Sequence, residues 1–300
     1  MNFAAIWLLR VIFNIGNLFT APWLDGIPEM DTSVAEMGSG DASESNIIHV
    51  PRTNFKPEVL INNSTYPIAL QAYTDDEVII ALDKYQTLVT TLSDDKIIGA
   101  SYNVIDPATN GHVRSINEKK YKKAIHAFAP DSDTADTPVI AATGPVINGF
   151  PTLTYEDLVT LKDRLDQAPS YCPANDRRLV LCARHWNDLL RDRKNFGDKL
   201  VNYNTGQPAP QIAGFELYQY NAMPIFTSAG VKKPFGAVKV AGDREASVVF
   251  WKDGIAKKTG MTKQYFIDAK LNPRTQANEL NYRHYFIALP FEQKYIGAII

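Results

Sequence analysis

The sequence predicts an α+β protein that carries a long apolar arm and an extended β-ribbon outside its core. Apolar residues fall in short strand-like runs toward both ends of the chain, switch to helical spacing between them, and form an N-terminal stretch with no core of its own. With 300 residues, 45% of them hydrophobic and 21% charged, the chain can bury a substantial core in one large domain or two modest ones.

The chain opens MNFAAIWLLRVIFNIGNLFTAPWL. This run lacks a basic leading segment, carries Arg10 in its middle and breaks at Gly16 and Asn17. It falls short of the roughly 20 uninterrupted apolar residues that a membrane span needs. It reads as an arm that closes in MGSGDASESN, a connector-like cluster. Ordering an arm costs about 1–2 kcal/mol per residue in backbone entropy. Ile6, Trp7, Val11, Phe13, Phe19 and Trp23 offset that cost only by docking on the rest of the fold or on a neighbouring copy, so they are candidate contact residues.

From residue 47 to about 92 the runs IIHV, VLI, IALQAY and VIIAL are punctuated by Pro51, Pro57, Asn62, Asn63, Pro67 and the Asp75-Asp76 turn, the pattern of a long hairpin or extended loop. A ribbon standing alone is marginal in water and should lean on a partner. Tyr66 and Tyr73 in this loop join the candidate contacts.

Near Gly111 the spacing becomes helical, with Val113, Ile116, Tyr121, Ala124, Ile125 and Phe128 on one stripe before Pro130. Lys119, Lys120, Lys122 and Lys123 are expected on a solvated face of this helix. A second helix has Thr154 as its cap, Asp157 in its first turn, Leu158, Leu161 and Leu165 as its stripe and Pro169 beyond its end. RRLVLCARHWNDLLRD then reads as a buried strand over 179–182 followed by a short helix over 185–191. GFELYQY, SVVFW and LNYRHYFIALP complete the strands.

The formal net charge of -2 excludes the basic bias that drives strong nucleic-acid binding by counterion release. Cys172 and Cys182 are the two cysteines, outside any CxxC pair or zinc-spaced cluster, and are expected to be buried thiols. The histidines His49, His112, His126, His185 and His284 stand singly, with no i, i+4 pair to share a metal. Asp131 to Asp136 (DSDTAD) alternates acids but lacks the Gly and distal Glu of an EF-hand loop. His185 follows a strand, where α/β enzymes place functional groups, yet no nucleophile with an activator is visible beside it. No phosphate-binding, dinucleotide or hydrolase motif occurs. Catalytic, cofactor-binding and metal residues are therefore expected to be none.

The order of segments resembles the major capsid proteins of tailed bacteriophages, the Hong Kong 97 or Johnson fold, and is most similar to those of Bacteroidetes phages and prophages. The stretches that carry the resemblance are AAIWLLRVIFNIGNLF, IIHVPR, NNSTYP, ALDKYQT, RRLVLCARHWNDLLRD, IAGFELYQYNAMP, ASVVFWKDGI and NELNYRHYFIALPFEQKYIGAII. Each is loose alone; their order is more specific.

The resemblance implies an N-terminal arm at residues 1–46, an extended loop at 47–92, and a peripheral domain at 93–177 and 243–290 with its spine helix at 155–167. It implies an axial domain at 178–242, with 291–300 as a possible addition. It further implies a non-enzymatic virion protein, assembled in the bacterial cytoplasm into pentameric and hexameric homo-oligomers. The implied partners are a separate scaffolding protein, a portal, optional decoration proteins and weakly held packaged DNA, with no membrane. No crosslink is expected from Lys56 or Lys84. The alternatives are an encapsulin-type compartment shell and an α/β enzyme with dispersed site residues.

Overall fold

The computed structural model describes residues 21–30, 47–53, 57–64, 66–68, 70–71, 75–93, 105–191, 201–202, 207–208 and 211–300. In chain order the main strands are β1 (Ile47–Thr53), β2 (Asp75–Ala81), β3 (Asp83–Gln86), β4 (Thr90–Ser93), β5 (Val139–Ile140), β6 (Arg177–Leu181), β7 (Gln211–Ile212), β8 (Phe215–Gln219), β9 (Ser247–Trp251), β10 (Ile255–Ile267), β11 (Ala277–Pro290) and β12 (Ile296–Ile299). The α-helices are α1 (Ile105–Phe128), α2 (Tyr155–Asp166) and α3 (Ala183–Arg191).

Two sheets organise the molecule. A six-stranded mixed sheet runs β7-β8-β6-β9-β12-β5, with β8 parallel to β6 and β12 parallel to β5. A four-stranded sheet centres on β11, which pairs with β10 on one side and with β3 and β4 on the other. The pairing of β10 and β11 runs from Ile255 opposite Pro290 to Ile267 opposite Glu279, with a bulge between Thr259 and Thr262. β1 and β2 form a separate antiparallel ribbon, from Ile47 opposite Ala81 to Thr53 opposite Asp75.

Strand β6 is buried at every residue because both of its faces are covered. Leu179 and Leu181 face α2, joining Leu158, Leu161, Leu165, Val249 and Ile299. Val180 faces the other way, with Val248, Phe250, Ile296 and the Ala124, Ile125 and Phe128 stripe of α1. Helix α1 is long enough to reach both sheets: its N-terminal half places Val113 and Ile116 against Leu92, Leu280 and Tyr282 of the four-stranded sheet. The opposite face of that sheet buries Met30, Ile80, Leu82, Tyr285 and Ile287.

Local chemistry sets the helix ends. Pro107 lies in the first turn of α1, where a missing N–H leaves no helical bond unmade. Helix α2 has a full capping box: Thr154 Oγ1 accepts from Asp157 N, and the Asp157 carboxylate accepts from Thr154 N at 2.9 Å. Asp157 also takes the Thr143 hydroxyl at 2.6 Å, which satisfies a carboxylate that is nearly fully buried.

Helix α1 lies along the long strand β11, and the helix at 155–167 packs on the six-stranded sheet. Residue 178 lies within β6, and β5, α2 and β9 share one sheet or its cover with β6 to β8. The β1–β2 ribbon ends at Ala81, and β3 and β4 pair with β11. Two sequence expectations need correction. Lys120 is buried, at 4% exposure, while its expected neighbours on the solvated face remain at least partly accessible. Trp23 is fully buried in the chain's own core, edge-on to Phe128, Tyr121, Tyr220 and Phe250, so it offers no surface to a neighbour. Its apolar ring and the close-packed aromatic slot explain that placement.

Candidate functional site

The constellation most like a catalytic centre lies at the start of α3. His185 Nδ1 is 2.7 Å from Ser247 Oγ, Ser247 Oγ accepts the Cys182 N–H at 3.0 Å, and Arg184 donates to His185 Nε2 at 2.9 Å. The arginine donor makes Nε2 the acceptor, which puts the imidazole proton on Nδ1, facing Ser247. His185 and Ser247 are both at 0% exposure, so no substrate reaches them. Burial first, and then the charges of Arg184 and Arg244, push His185 down to about 3, and burial raises the Cys182 thiol. A neutral imidazole and a protonated thiol pack a strand-to-helix turn; they do not make an activated nucleophile.

The acids of 131–136 are engaged locally. Asp131 pairs with Lys232 at 2.7 Å, Asp133 accepts from Val139 N and pairs with Arg164, and Asp136 accepts from Ser170 N. Among the described residues no group of three His, Cys, Asp or Glu side chains converges as metal ligands. Both cysteines are buried and free. No described helix is long and apolar enough to cross a membrane.

The exposed features are of another kind. Between β1 and β2 the residues 57–71 project Val59, Leu60, Ile61, Tyr66, Ile68 and Leu70 into solvent, with Leu70 fully exposed. The loop is drawn together near its base by Glu58 N donating to Gln71 Oε1 at 2.9 Å. A group of large exposed apolar side chains of this size marks an interaction surface. Of the sequence-derived contact candidates Tyr66 is 74% exposed here; Ile6, Trp7, Val11, Phe13, Phe19 and Tyr73 lie outside the described residues.

A groove of about 720 Å³ runs between the N-terminal half of α1 and the link from β3 to β4. Pro107, Ala108, Gly111, His112, Ile116 and Leu88 line its apolar part, and Leu88 is 90% exposed at its rim. No sequence motif announced the groove, because its walls come from two segments joined only through β11. A further exposed apolar patch, Phe235, Val238 and Val240, lies on the loop that His126 Nε2 contacts at the Lys233 carbonyl, 2.8 Å away.

Comparison with known proteins then gives a consistent answer. A family model described as phage capsid protein matches residues 75–299. No curated protein sequence matches the chain. Among solved structures, the capsid of the cyanophage P-SCSP1u is 14% identical with a TM-score of 0.61, over 85% of this chain and 83% of that one. The mature capsid of bacteriophage PhiM1 is 13% identical with a TM-score of 0.56, over 91% of each chain. The structure from Mycobacterium phage Che8 is 13% identical with a TM-score of 0.56, over 85% of this chain and 84% of that one. At these identities the structural matches speak for the fold.

Proposed function

The chain belongs to the phage capsid protein family and is a major shell subunit of the virion, and on that premise we propose how it builds the shell. Subunits group into pentamers and hexamers, ribbons and N-terminal arms clamp neighbouring copies, and many modest contacts close into an icosahedral head around double-stranded DNA. The observation that carries this reading is the apolar loop 57–71, which exposes large side chains beside a well-packed core among the described residues. The candidate arm residues Ile6, Trp7, Val11, Phe13 and Phe19, with Tyr66 and Tyr73 of the ribbon, supply the clamping surface in this reading; Trp23 is withdrawn from that set.

The chain acts structurally rather than as an enzyme, a role supported by its family and by the inaccessibility of the His185 cluster. Assembly uses a separate scaffolding protein, a portal occupies one vertex, and decoration proteins are an optional outer layer. The formal net charge of -2 supports weak, salt-sensitive and sequence-independent contact with packaged DNA. Kinship with Bacteroidetes phages and prophages rests on the ordered sequence stretches alone.

The test is negative-stain electron microscopy of the protein expressed with and without its neighbouring genes. Closed particles or capsomer rings support assembly as the function; persistent monomers under both conditions would refute it.

A further inference from the structure

The sequence places asparagine directly before glycine twice, at Asn110-Gly111 and at Asn148-Gly149. In this dipeptide the asparagine Cγ lies one ring closure away from the next main-chain nitrogen, and the glycine has no side chain to obstruct the five-membered ring. What separates the two sites is the backbone that holds each of them.

Asn148 and Gly149 form the two-residue tip of a short hairpin in which Val146 pairs with Pro151 and Ile147 with Phe150. Both take positive φ, 53° and 81°, as a type I′ turn requires. Both are exposed, and a Cβ built on Gly149 would meet nothing within 4 Å. The ladder joins Ile147 to Phe150, so the Gly149 N–H lies outside it, and Pro151 has no N–H to strengthen it. The base of the hairpin is tied more firmly, by Gly144 N donating to the Thr152 carbonyl at 3.0 Å and Thr152 N to the Pro145 carbonyl at 3.1 Å. The tip can therefore turn while the base stays closed. Arg184 lies over the Phe150 ring at 4.9 Å and Lys239 at 6.0 Å. Two cations beside the residue that follows Gly149 favour the anionic form of its amide nitrogen.

Asn110 and Gly111 sit inside α1. The Gly111 nitrogen belongs to the helical i→i−4 ladder, and His112 and Val113 just after it are buried. Swinging that nitrogen onto the Asn110 side chain would break the helix and lift packed residues off the four-stranded sheet.

We infer that Asn148 is a site of spontaneous deamidation in the folded chain and that Asn110 is protected from it. The Gly149 nitrogen gives its proton to water or hydroxide and bonds to Asn148 Cγ. The Cγ–Nδ2 bond breaks, and the side-chain nitrogen takes a proton from solvent and leaves as ammonia. One water then opens the succinimide at either carbonyl, leaving aspartate or isoaspartate at position 148, with nothing oxidised or reduced. The product adds a negative charge to the hairpin that Arg184 and Lys239 flank, and the isoaspartate form adds a methylene to the main chain of the turn. Conversion thus alters the surface where Val146 and Ile147 are 70% and 40% exposed. This chemistry needs no neighbouring copy and is independent of shell assembly.

The test is a time course of the full chain at pH 8, folded and in urea, read by peptide mapping and isoaspartate labelling and continued until both asparagines have converted in urea. In the folded chain position 148 is expected to convert at least tenfold faster than position 110, with a one-charge acidic shift on isoelectric focusing. Conversion at 148 no faster than at 110, or none, would overturn the assignment, since the urea sample shows that both dipeptides are competent. Asn148→Gly keeps the positive-φ turn and removes the amide. It is expected to abolish the acidic shift; a shift that persists in this variant places the reaction elsewhere and overturns it.

Discussion

The guanidinium of Arg178 donates to the main-chain carbonyl of Trp23 at 3.0 Å, across 155 positions of sequence. The same nitrogen donates to the Asp25 carbonyl at 2.6 Å, and Arg178 Nε reaches Glu216 at 3.1 Å. The root of the N-terminal segment is thereby fastened to the middle of the six-stranded sheet, and whatever precedes residue 21 starts from a fixed point on the subunit.

Arg178→Gln is expected to loosen that root. It leaves buried carbonyls short of a charged donor, and hydrogen bonds to charged groups contribute about 1.5–3 kcal/mol each. The expected outcome is a loss on the order of 3 kcal/mol in urea denaturation. New protease cleavage within residues 21–30 and a red shift of tryptophan emission should accompany it. An unchanged denaturation midpoint would show that Trp23 packing alone holds the segment.

Lys120 lies with its ammonium over the rings of Tyr121 at 4.8 Å and Phe286 at 5.1 Å. Burial first, and then repulsion from Lys257, lower it from 10.5 to about 8. The native state therefore sheds its proton before the unfolded chain does, so stability should rise as pH climbs from about 8 toward 10.5. Lys120→Met is expected to stabilise the subunit at pH 7, by up to the order of 3 kcal/mol, and to flatten that rise. Guanidinium midpoints at pH 7 and 9.5 check both outcomes.

His284 behaves in the opposite pH range. Burial and then the charge of Lys120 push it down to about 3, while Thr262 Oγ1 sits 2.9 Å from its Nδ1. The unfolded chain protonates near 6.5 and the native state does not, so stability should fall as pH drops from 6.5 toward 3. His185 adds a second contribution of the same sign. Replacing His284 with Phe should remove up to about 1.4 kcal/mol per pH unit of that slope. Identical slopes in the two proteins between pH 6 and 4 would contradict it.

Thr154→Ala removes the side-chain half of the α2 capping box and one partner of the Asp157 carboxylate. The expected cost is about 1 kcal/mol, within the usual range for a lost N-cap. Thr154→Ser should cost little, because its hydroxyl keeps the cap. Thermal melts of the two variants side by side distinguish a capping role from simple methyl packing.

Features written locally were legible in the sequence. Thr154, Asp157 and the Leu158, Leu161 and Leu165 stripe announce α2, and the apolar run from Leu179 announces a buried strand. The apolar runs of the ribbon and the proline and asparagine punctuation between them could be read from the sequence too. Strand β10 was not: IAKKTGMTKQYFI mixes lysines with apolar residues and has no clean alternation, and it becomes a strand because β11 offers it a long partner. The groove was equally hidden, since Leu88 and Gly111 become neighbours only when α1 lies along β11.

The sequence by itself therefore determined the α+β class, the elements with local caps and stripes, and the presence of apolar segments needing something to dock on. Only the tertiary structure decided that Trp23 belongs to the core, that Lys120 is buried, that α1 rather than α2 runs along the long strand, and where the groove beside α1 lies. The physical reason is range. Helix caps and periodic stripes are set by residues within a few positions of one another, whereas burial and strand membership are set by partners far apart in the chain that only the finished fold brings together.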